Sequence, residues 1–142
     1  MKDLNELWKK NKVMPVVTVD GFSGKVLMLG YMNREAFAYT LKTGKVWYSN
    51  KEGTGVRMKG KHGGNVQKLV SIKADHDYNA LLMTVEQTGH VCHHDGGHST
   101  YFYHNIYGTT ENISKHNKFG NVEVDKNFDY SKEDYDDFYK EK

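Results

Sequence analysis

Residues 16–44 read VVTVDGFSGKVLMLGYMNREAFAYTLKTG, and this stretch decides the predicted fold. Residues 16–19 and 26–29 are rich in β-branched and other apolar side chains. The turn between them, residues 20–24, contains two glycines. Two β-rich runs across a short glycine-containing loop are typical of a β-hairpin. The sequence therefore predicts a hairpin near the N-terminus.

A helix is predicted directly after this hairpin. Asn33 has a side chain suited to the N-cap, and Gly44 is suited to the left-handed position that commonly follows a helix. Between them Phe37 and Leu41 lie four residues apart, which places them on one helical face. We therefore predict a helix over residues 34–43.

Further extended runs predict a mainly β fold. Residues 45–49 form one strand, and the apolar runs 66–74 and 80–85 form two more that are joined by a polar turn. On one side of the strand predicted over residues 66–74 we place four residues: Val66, Val70, Ile72 and Ala74. With an N-terminal helix over residues 3–10, the prediction is an α+β domain. Its core would be a twisted antiparallel sheet or partial barrel with two or three helices.

The composition indicates an intracellular protein built around one main domain. A chain of 142 residues has room for one core. Its single cysteine, Cys92, excludes an internal disulfide and favours a reducing compartment. No apolar run approaches the roughly 18 residues of a membrane span. We therefore expect a cytoplasmic location without membrane contact.

The charge is unevenly distributed along the chain. The formal net charge is +2, yet acidic residues outnumber basic ones two to one between residues 121 and 142. The remaining chain is mildly basic and suits an anionic ligand such as a phosphate. It has no dense stripe of Lys and Arg, which argues against a nucleic-acid partner. A glycine-rich basic loop over residues 50–64 could hold phosphate oxygens, although such loops are also common on surfaces.

Two clusters of side chains could carry chemistry. Residues 75–79 read Asp-His-Asp-Tyr-Asn, and residues 92–98 read Cys-His-His-Asp-Gly-Gly-His. Thiolate and imidazole suit zinc, while clustered carboxylates suit magnesium. If the first cluster alternates like a strand, its oxygen-bearing residues converge and His76 faces the other way. The alternatives are an Asx turn that caps its own backbone and a glycine-rich loop with histidines facing solvent.

Several ordered motifs give the chain a resemblance to the phosphoribosyl-AMP cyclohydrolases of histidine biosynthesis. Residues 26–36, VLMLGYMNREA, resemble the N-terminal signature of that family. Lys59-Gly60 and the segment 64–67, GNVQ, resemble its next motifs, and residues 75–79 resemble its Asp-Cys-Asp-x-Asp. Residues 85–93, VEQTGHVCH, resemble Val-Glu-Gln-x-Gly-x-x-Cys-His. The likeness runs from about residue 14 to residue 103. It divides the chain into a cyclohydrolase-like domain, 1–103, and an acidic, Tyr-rich C-terminal extension, 104–142.

The resemblance implies a zinc site shared across a homodimer. Three cysteines bind zinc in the family, and here His76 stands at the first position and Cys92 at the second. Ser99 occupies the third. We choose His98 over Ser99, because imidazole is a common zinc ligand and a serine hydroxyl is a poor one. We choose it over His94, because His94 lies only two residues from Cys92 and would have to bind from the same short arc. The adjacent glycines 96 and 97 would allow the one-residue shift.

The resemblance also implies a magnesium site and a proton-transfer residue. Asp75 and Asp77 match two of the family's three magnesium carboxylates, and Asn79 replaces the third with a neutral oxygen. His93 matches the proposed general base, with orientation of the metal site as the alternative role. The substrate loops depart most from the family pattern. The residues that we expect to contact substrate are Ser49, Lys51, Lys59, His62, Asn65, Gln67 and His94.

The implied activity is zinc-dependent hydrolysis of a cyclic amidine, opening the N1–C6 bond of N1-phosphoribosyl-AMP. Two alternatives follow from the altered loops and ligands. One is a repurposed hydrolase or binder of another N1-substituted adenine nucleotide, such as a cyclic ADP-ribose. The other is a non-catalytic nucleotide-binding module. In each case the partner is a phosphorylated adenine nucleotide.

Overall fold

A computed structural model describes residues 4–108 and residue 127. The chain divides into two units, Met1–Tyr103 and His104–Lys142. The elements of the described residues all lie in the first unit: α1 Asn5–Lys10, β1 Val13–Asp20, β2 Val26–Asn33, α2 Arg34–Thr43, β3 Trp47–Ser49, β4 Val56–Met58, β5 Gln67–Ala74 and β6 Leu81–Gln87, followed by a 3₁₀ turn at His94–Gly96. In this part of the chain no helix is long and apolar enough to span a membrane. The predicted acidic extension lies largely outside the described residues.

The six strands form one curled sheet in the order β4-β3-β2-β1-β6-β5. The predicted mainly β fold with two helices is confirmed. One detail differs, because β1 and β6 pair in parallel while all other neighbours are antiparallel. After β2 the chain forms β3, β4 and β5. Strand β6 then pairs with the edge of β1 that faces away from β2. Composition carries no signal for such a long-range pairing.

The first hairpin and α2 form as the sequence predicts. The side chain of Asn33 accepts a hydrogen bond from the backbone N–H of Ala36 at 2.8 Å, and Gly44 ends the helix with φ 74°. Phe37 is buried in the core, and Trp8 of α1 packs against it with ring centroids 5.4 Å apart. Leu41 lies one turn later and is 46% exposed. Helix α2 therefore packs on the sheet through Ala36, Phe37 and Thr40, while Leu41 lies on its outer side.

Two local predictions were wrong. The loop 50–64 contains β4, which pairs with β3 and is only three residues long. Val70 does not share a side with its strand neighbours, because the register of β5 shifts between Leu69 and Ser71. This bulge leaves Val70 55% exposed. Both features arise from pairing with neighbouring strands of the sheet. The local hydrophobic pattern therefore gives no sign of them.

Candidate active site

An open cleft of about 610 Å³ lies at the β2–β3–β4 side of the sheet. Its walls come from these three strands and from the loop that follows β4, with His93 and Tyr101 joining them from beyond β6. The cleft brings together four of the residues that the sequence predicts for substrate or proton transfer: Ser49, Lys59, His62 and His93. Small-molecule sites commonly occupy 300–1,000 Å³, so the volume suits a nucleotide.

The cleft is lined by cations. Arg57, Lys59 and Lys61 all contribute to its walls, and among the described residues no carboxylate does. The ammonium group of Lys59 donates to the hydroxyl of Tyr101 and lies 4.7 Å from the centre of that ring. Lys51 is exposed outside the lining. Because like charges without counter-charges favour an anion, this surface suits phosphate groups.

A buried polar network supports the floor of the cleft. The hydroxyl of Tyr48 contacts Thr18 Oγ1 and donates to Gln67 Oε1, each at 2.7 Å. Gln67 in turn donates to Gln87 Oε1 at 2.9 Å. Burial raises the pKa of Tyr48, so the phenol stays protonated. A Cβ at Gly30 would lie 2.7 Å from the Tyr48 ring, so only glycine admits this packing.

Gln67 is placed differently from the predicted substrate contact. It is fully buried, and its side-chain amide is hydrogen-bonded within the protein on both the oxygen and the nitrogen. In this arrangement Gln67 has no surface for a ligand. Its position supports Tyr48, which lines the cleft, so the influence of Gln67 on a substrate is indirect.

His93 stands at the cleft wall with a defined partner. Its Nε2 lies 3.1 Å from Nδ2 of Asn65. Because an amide nitrogen can only donate, Nε2 accepts, and the neutral ring then carries its proton on Nδ1. Gly60 has φ +78° and packs directly against the backbone of Asn65. A Cβ at Gly60 would lie 2.2 Å from the Asn65 carbonyl oxygen. Asn65 therefore orients the imidazole and is not itself part of the cleft lining.

A tight turn brings Cys92 and His98 together. Their backbones exchange two hydrogen bonds, at 3.2 Å from Cys92 N–H to His98 O and at 2.8 Å in return. The chain reverses through Asp95, Gly96 and Gly97, which all have positive φ (53°, 86° and 102°). Directly paired residues in an antiparallel bridge project their side chains to the same side. The thiol and the imidazole therefore face a common region.

His98 has a buried nitrogen without a partner. Its Nε2 is shielded from solvent and makes no hydrogen bond, and the neighbouring Cys92 is only 2% exposed. A buried unsatisfied nitrogen is costly unless something binds it, and a metal cation would do so. Ser99 projects elsewhere and receives a hydrogen bond from Lys25 Nζ at 2.9 Å. His94 is exposed at the start of the 3₁₀ turn. The donors and their setting fit zinc.

The second predicted metal cluster forms an exposed turn. Asp75 Oδ1 accepts from the backbone N–H of Asn79 at 2.6 Å and of Ala80 at 3.3 Å, as in an Asx turn. The first of these bonds is the largest cause of the lowered pKa of Asp75. His76 is 92% exposed, and its Nε2 lies 3.8 Å from the Asp77 carboxylate. The predicted strand-like alternation is therefore absent.

Within one chain the two clusters are far apart. His76 precedes β6 and Cys92 follows it, so the seven residues of β6 separate them by about 20 Å. Accordingly, within residues 4–108 and 127 no three His, Cys, Asp or Glu side chains lie close enough to hold a metal ion. One oxygen of the Asp75 carboxylate, Oδ1, accepts the hydrogen bonds of its own turn. Within one chain, His76 therefore lies too far from Cys92 and His98 to share a metal ion with them.

Comparison with known proteins assigns the family. The phosphoribosyl-AMP cyclohydrolase family model matches residues 28–103. The chain belongs to the phosphoribosyl-AMP cyclohydrolase family. A phosphoribosyl-AMP cyclohydrolase of Azoarcus sp. (strain BH72) is 40% identical over 102 residues, which cover 71% of this chain and 78% of the relative. One from Nitrosospira multiformis is 41% identical over 95 residues, covering 67% and 73%.

The match covers less than half of a third relative. The histidine biosynthesis bifunctional protein HisIE of Thermosynechococcus vestitus is 41% identical over 96 residues, covering 68% of this chain but 45% of that protein. The predicted membership of the cyclohydrolase family, and with it the prediction of a hydrolase, is confirmed. Sequence reasoning missed Tyr48 and Tyr101 of the cleft, and it predicted Arg57 and Lys61 only as part of the basic loop 50–64. Recognition of the short strand β4 would have placed Arg57 on a strand that lines the cleft.

Proposed function

We propose that this cyclohydrolase opens the N1–C6 bond of N1-phosphoribosyl-AMP by hydrolysis. The observation that carries the proposal is the cleft that combines His93 with three cations and no carboxylate. A substrate with two phosphate-bearing arms would present anionic groups to such a surface. Family membership favours this substrate over other adenine nucleotides.

The chemistry would depend on proton transfer by His93. A substituent on N1 makes the adenine ring cationic or readily protonated, so C6 is an electrophile that water can attack. Once the hydrogen bond from Asn65 gives way to the attacking water, Nε2 of His93 would accept the proton of that water and return it to N1 as the N1–C6 bond breaks. Before that exchange, Asn65 would keep the ring turned with Nε2 toward the cleft wall. Arg57, Lys59 and Lys61 would bind the phosphates.

We also propose that Cys92 and His98 of one subunit, with His76 of a second subunit, hold zinc. When bound, zinc lowers the pKa of water toward about 7 and so favours hydroxide at neutral pH. The unpartnered Nε2 of His98 supports this assignment. Magnesium binding by Asp75, Asp77 and Asn79 stays a prediction, and the proposed steps above do not depend on it.

The sheet face opposite the core supports a dimer. Val17 lies beside Leu29 on one strand and Leu82 on the other, which forms an apolar row across β2, β1 and β6. Leu29 is 47% exposed and Leu82 is 42% exposed. We expect light scattering at micromolar concentration to give the mass of a dimer. Leu82→Asp should shift the mass toward the monomer and lower zinc occupancy together. A zinc-bound monomer of the unchanged protein would contradict the shared site.

The proposed function is tested by turnover of N1-phosphoribosyl-AMP with protein purified without added metal. We expect turnover and about one zinc per chain by elemental analysis. Arg57→Gln should raise KM about tenfold with a smaller change in kcat, because removing a charge-assisted hydrogen bond costs about 1.5 kcal/mol. Lys42→Gln is the matched control, since Lys42 is an exposed cation on α2 outside the cleft.

Other outcomes separate the alternatives. Turnover of a cyclic ADP-ribose, but not of N1-phosphoribosyl-AMP, would identify a repurposed hydrolase. Binding of AMP with neither turnover nor zinc would identify a nucleotide-binding module. Zinc at well below one equivalent in the active protein would contradict the proposed metal site.

A further inference from the structure

Tyr103 stacks on one of the two predicted zinc ligands of this chain, His98, and lies close to the other, Cys92. Its ring stacks on the imidazole of His98 with centroids 3.6 Å apart and planes within 5° of each other. Its hydroxyl lies close to the side chain of Cys92. One side chain therefore links the thiol and the imidazole that the tight turn has already brought to the same side.

The stacking restricts the ring of His98. Turning the imidazole about its terminal torsion would break a near-parallel contact over the whole ring, whereas a neighbouring aliphatic side chain would tolerate the rotation. The present orientation also keeps Nε2 buried without a hydrogen bond. This arrangement is costly for the metal-free protein, so the surrounding contacts must hold the ring in place.

We propose that Tyr103 is a positioning residue that holds the His98 imidazole, by stacking, in the orientation that zinc requires. Groups that orient a metal ligand typically contribute 10- to 100-fold to metal affinity. The inference rests on the proposed zinc site and assigns a role to a residue outside the ligand set. Preorganisation of His98 before zinc arrives is the expected benefit, because less rotational freedom is then lost on binding.

The test is the zinc affinity of the 142-residue protein, measured by competition with a chromophoric chelator. Tyr103→Leu should weaken zinc binding at least tenfold, whereas Tyr103→Phe keeps the ring and should stay within about threefold of the unchanged protein. Phe102→Leu is the matched control, because Phe102 is the adjacent aromatic residue and is 63% exposed. It should bind zinc normally.

A spectroscopic readout distinguishes positioning from general destabilisation. The visible absorption of the Co²⁺-loaded protein reports ligand geometry, and we expect it to change in Tyr103→Leu but to be retained in Tyr103→Phe. A lower Tm of the metal-free protein with an unaltered cobalt spectrum would overturn the proposal, and so would equal losses of affinity in both variants. If the unchanged protein binds no zinc, the metal site itself is wrong. If it binds zinc and all variants bind equally, only the role of Tyr103 is wrong.

Discussion

Replacing His93 by alanine is expected to lower kcat by about 10²- to 10⁴-fold while zinc stays bound. Loss of a general base commonly has an effect of this size. His93 lines the cleft, is exposed, and has its Nε2 oriented by Asn65 at 3.1 Å. Cys92 next to it projects into the interior, so the two neighbouring side chains lie in different surroundings. Turnover under saturating substrate and zinc content of the same sample are the two measurements.

Two further variants make this prediction sharper. Asn65→Ala should lower kcat less than His93→Ala, because it removes the group that orients the base and leaves the base itself. His62→Ala is the matched control, since His62 is another cleft histidine without a hydrogen bond to Asn65. It should affect KM more than kcat. Loss of zinc in His93→Ala would show instead that His93 orients the metal site.

The sequence predicted the parts of the fold that depend on local chemistry. The side chain of Asn33 caps α2, and the left-handed Gly44 ends it, so both boundaries follow from backbone hydrogen bonding within a few residues. The two hairpins follow in the same way from apolar runs around polar turns. The parallel pairing of β1 with β6 depends on distant segments, and no local pattern reports it.

The candidate site was predictable only in part, for the same physical reason. Residue types suited to zinc identified Cys92 and His98, but their backbone pairing depends on three consecutive positive φ angles. Gln67 has the chemistry of a substrate contact, and only its complete burial shows that it supports Tyr48. Arg57 was predicted only as one cation of the basic loop 50–64, because the three residues of β4 are too few to show a strand pattern.

His98→Ala is expected to remove zinc from the protein, with an affinity loss of more than about 100-fold. Changes to residues that merely orient a ligand cost 10- to 100-fold, so loss of a ligand should cost more. The structure gives His98 the required position: it is bridged to Cys92, and its Nε2 is buried without a partner. Activity should fall together with zinc occupancy, measured by elemental analysis of protein purified without added metal.

Two neighbouring substitutions are the matched controls for His98. Ser99→Ala should leave zinc occupancy nearly unchanged, because the Ser99 hydroxyl is hydrogen-bonded to Lys25 on the exposed side of the chain. His94→Ala should also retain zinc, since His94 is exposed in the 3₁₀ turn and lies outside the Cys92–His98 bridge. If His94→Ala loses the metal and His98→Ala keeps it, the ligand assignment is wrong. If neither loses it, Ser99 or a water must complete the site, and the buried nitrogen of His98 then has no metal to offset its desolvation.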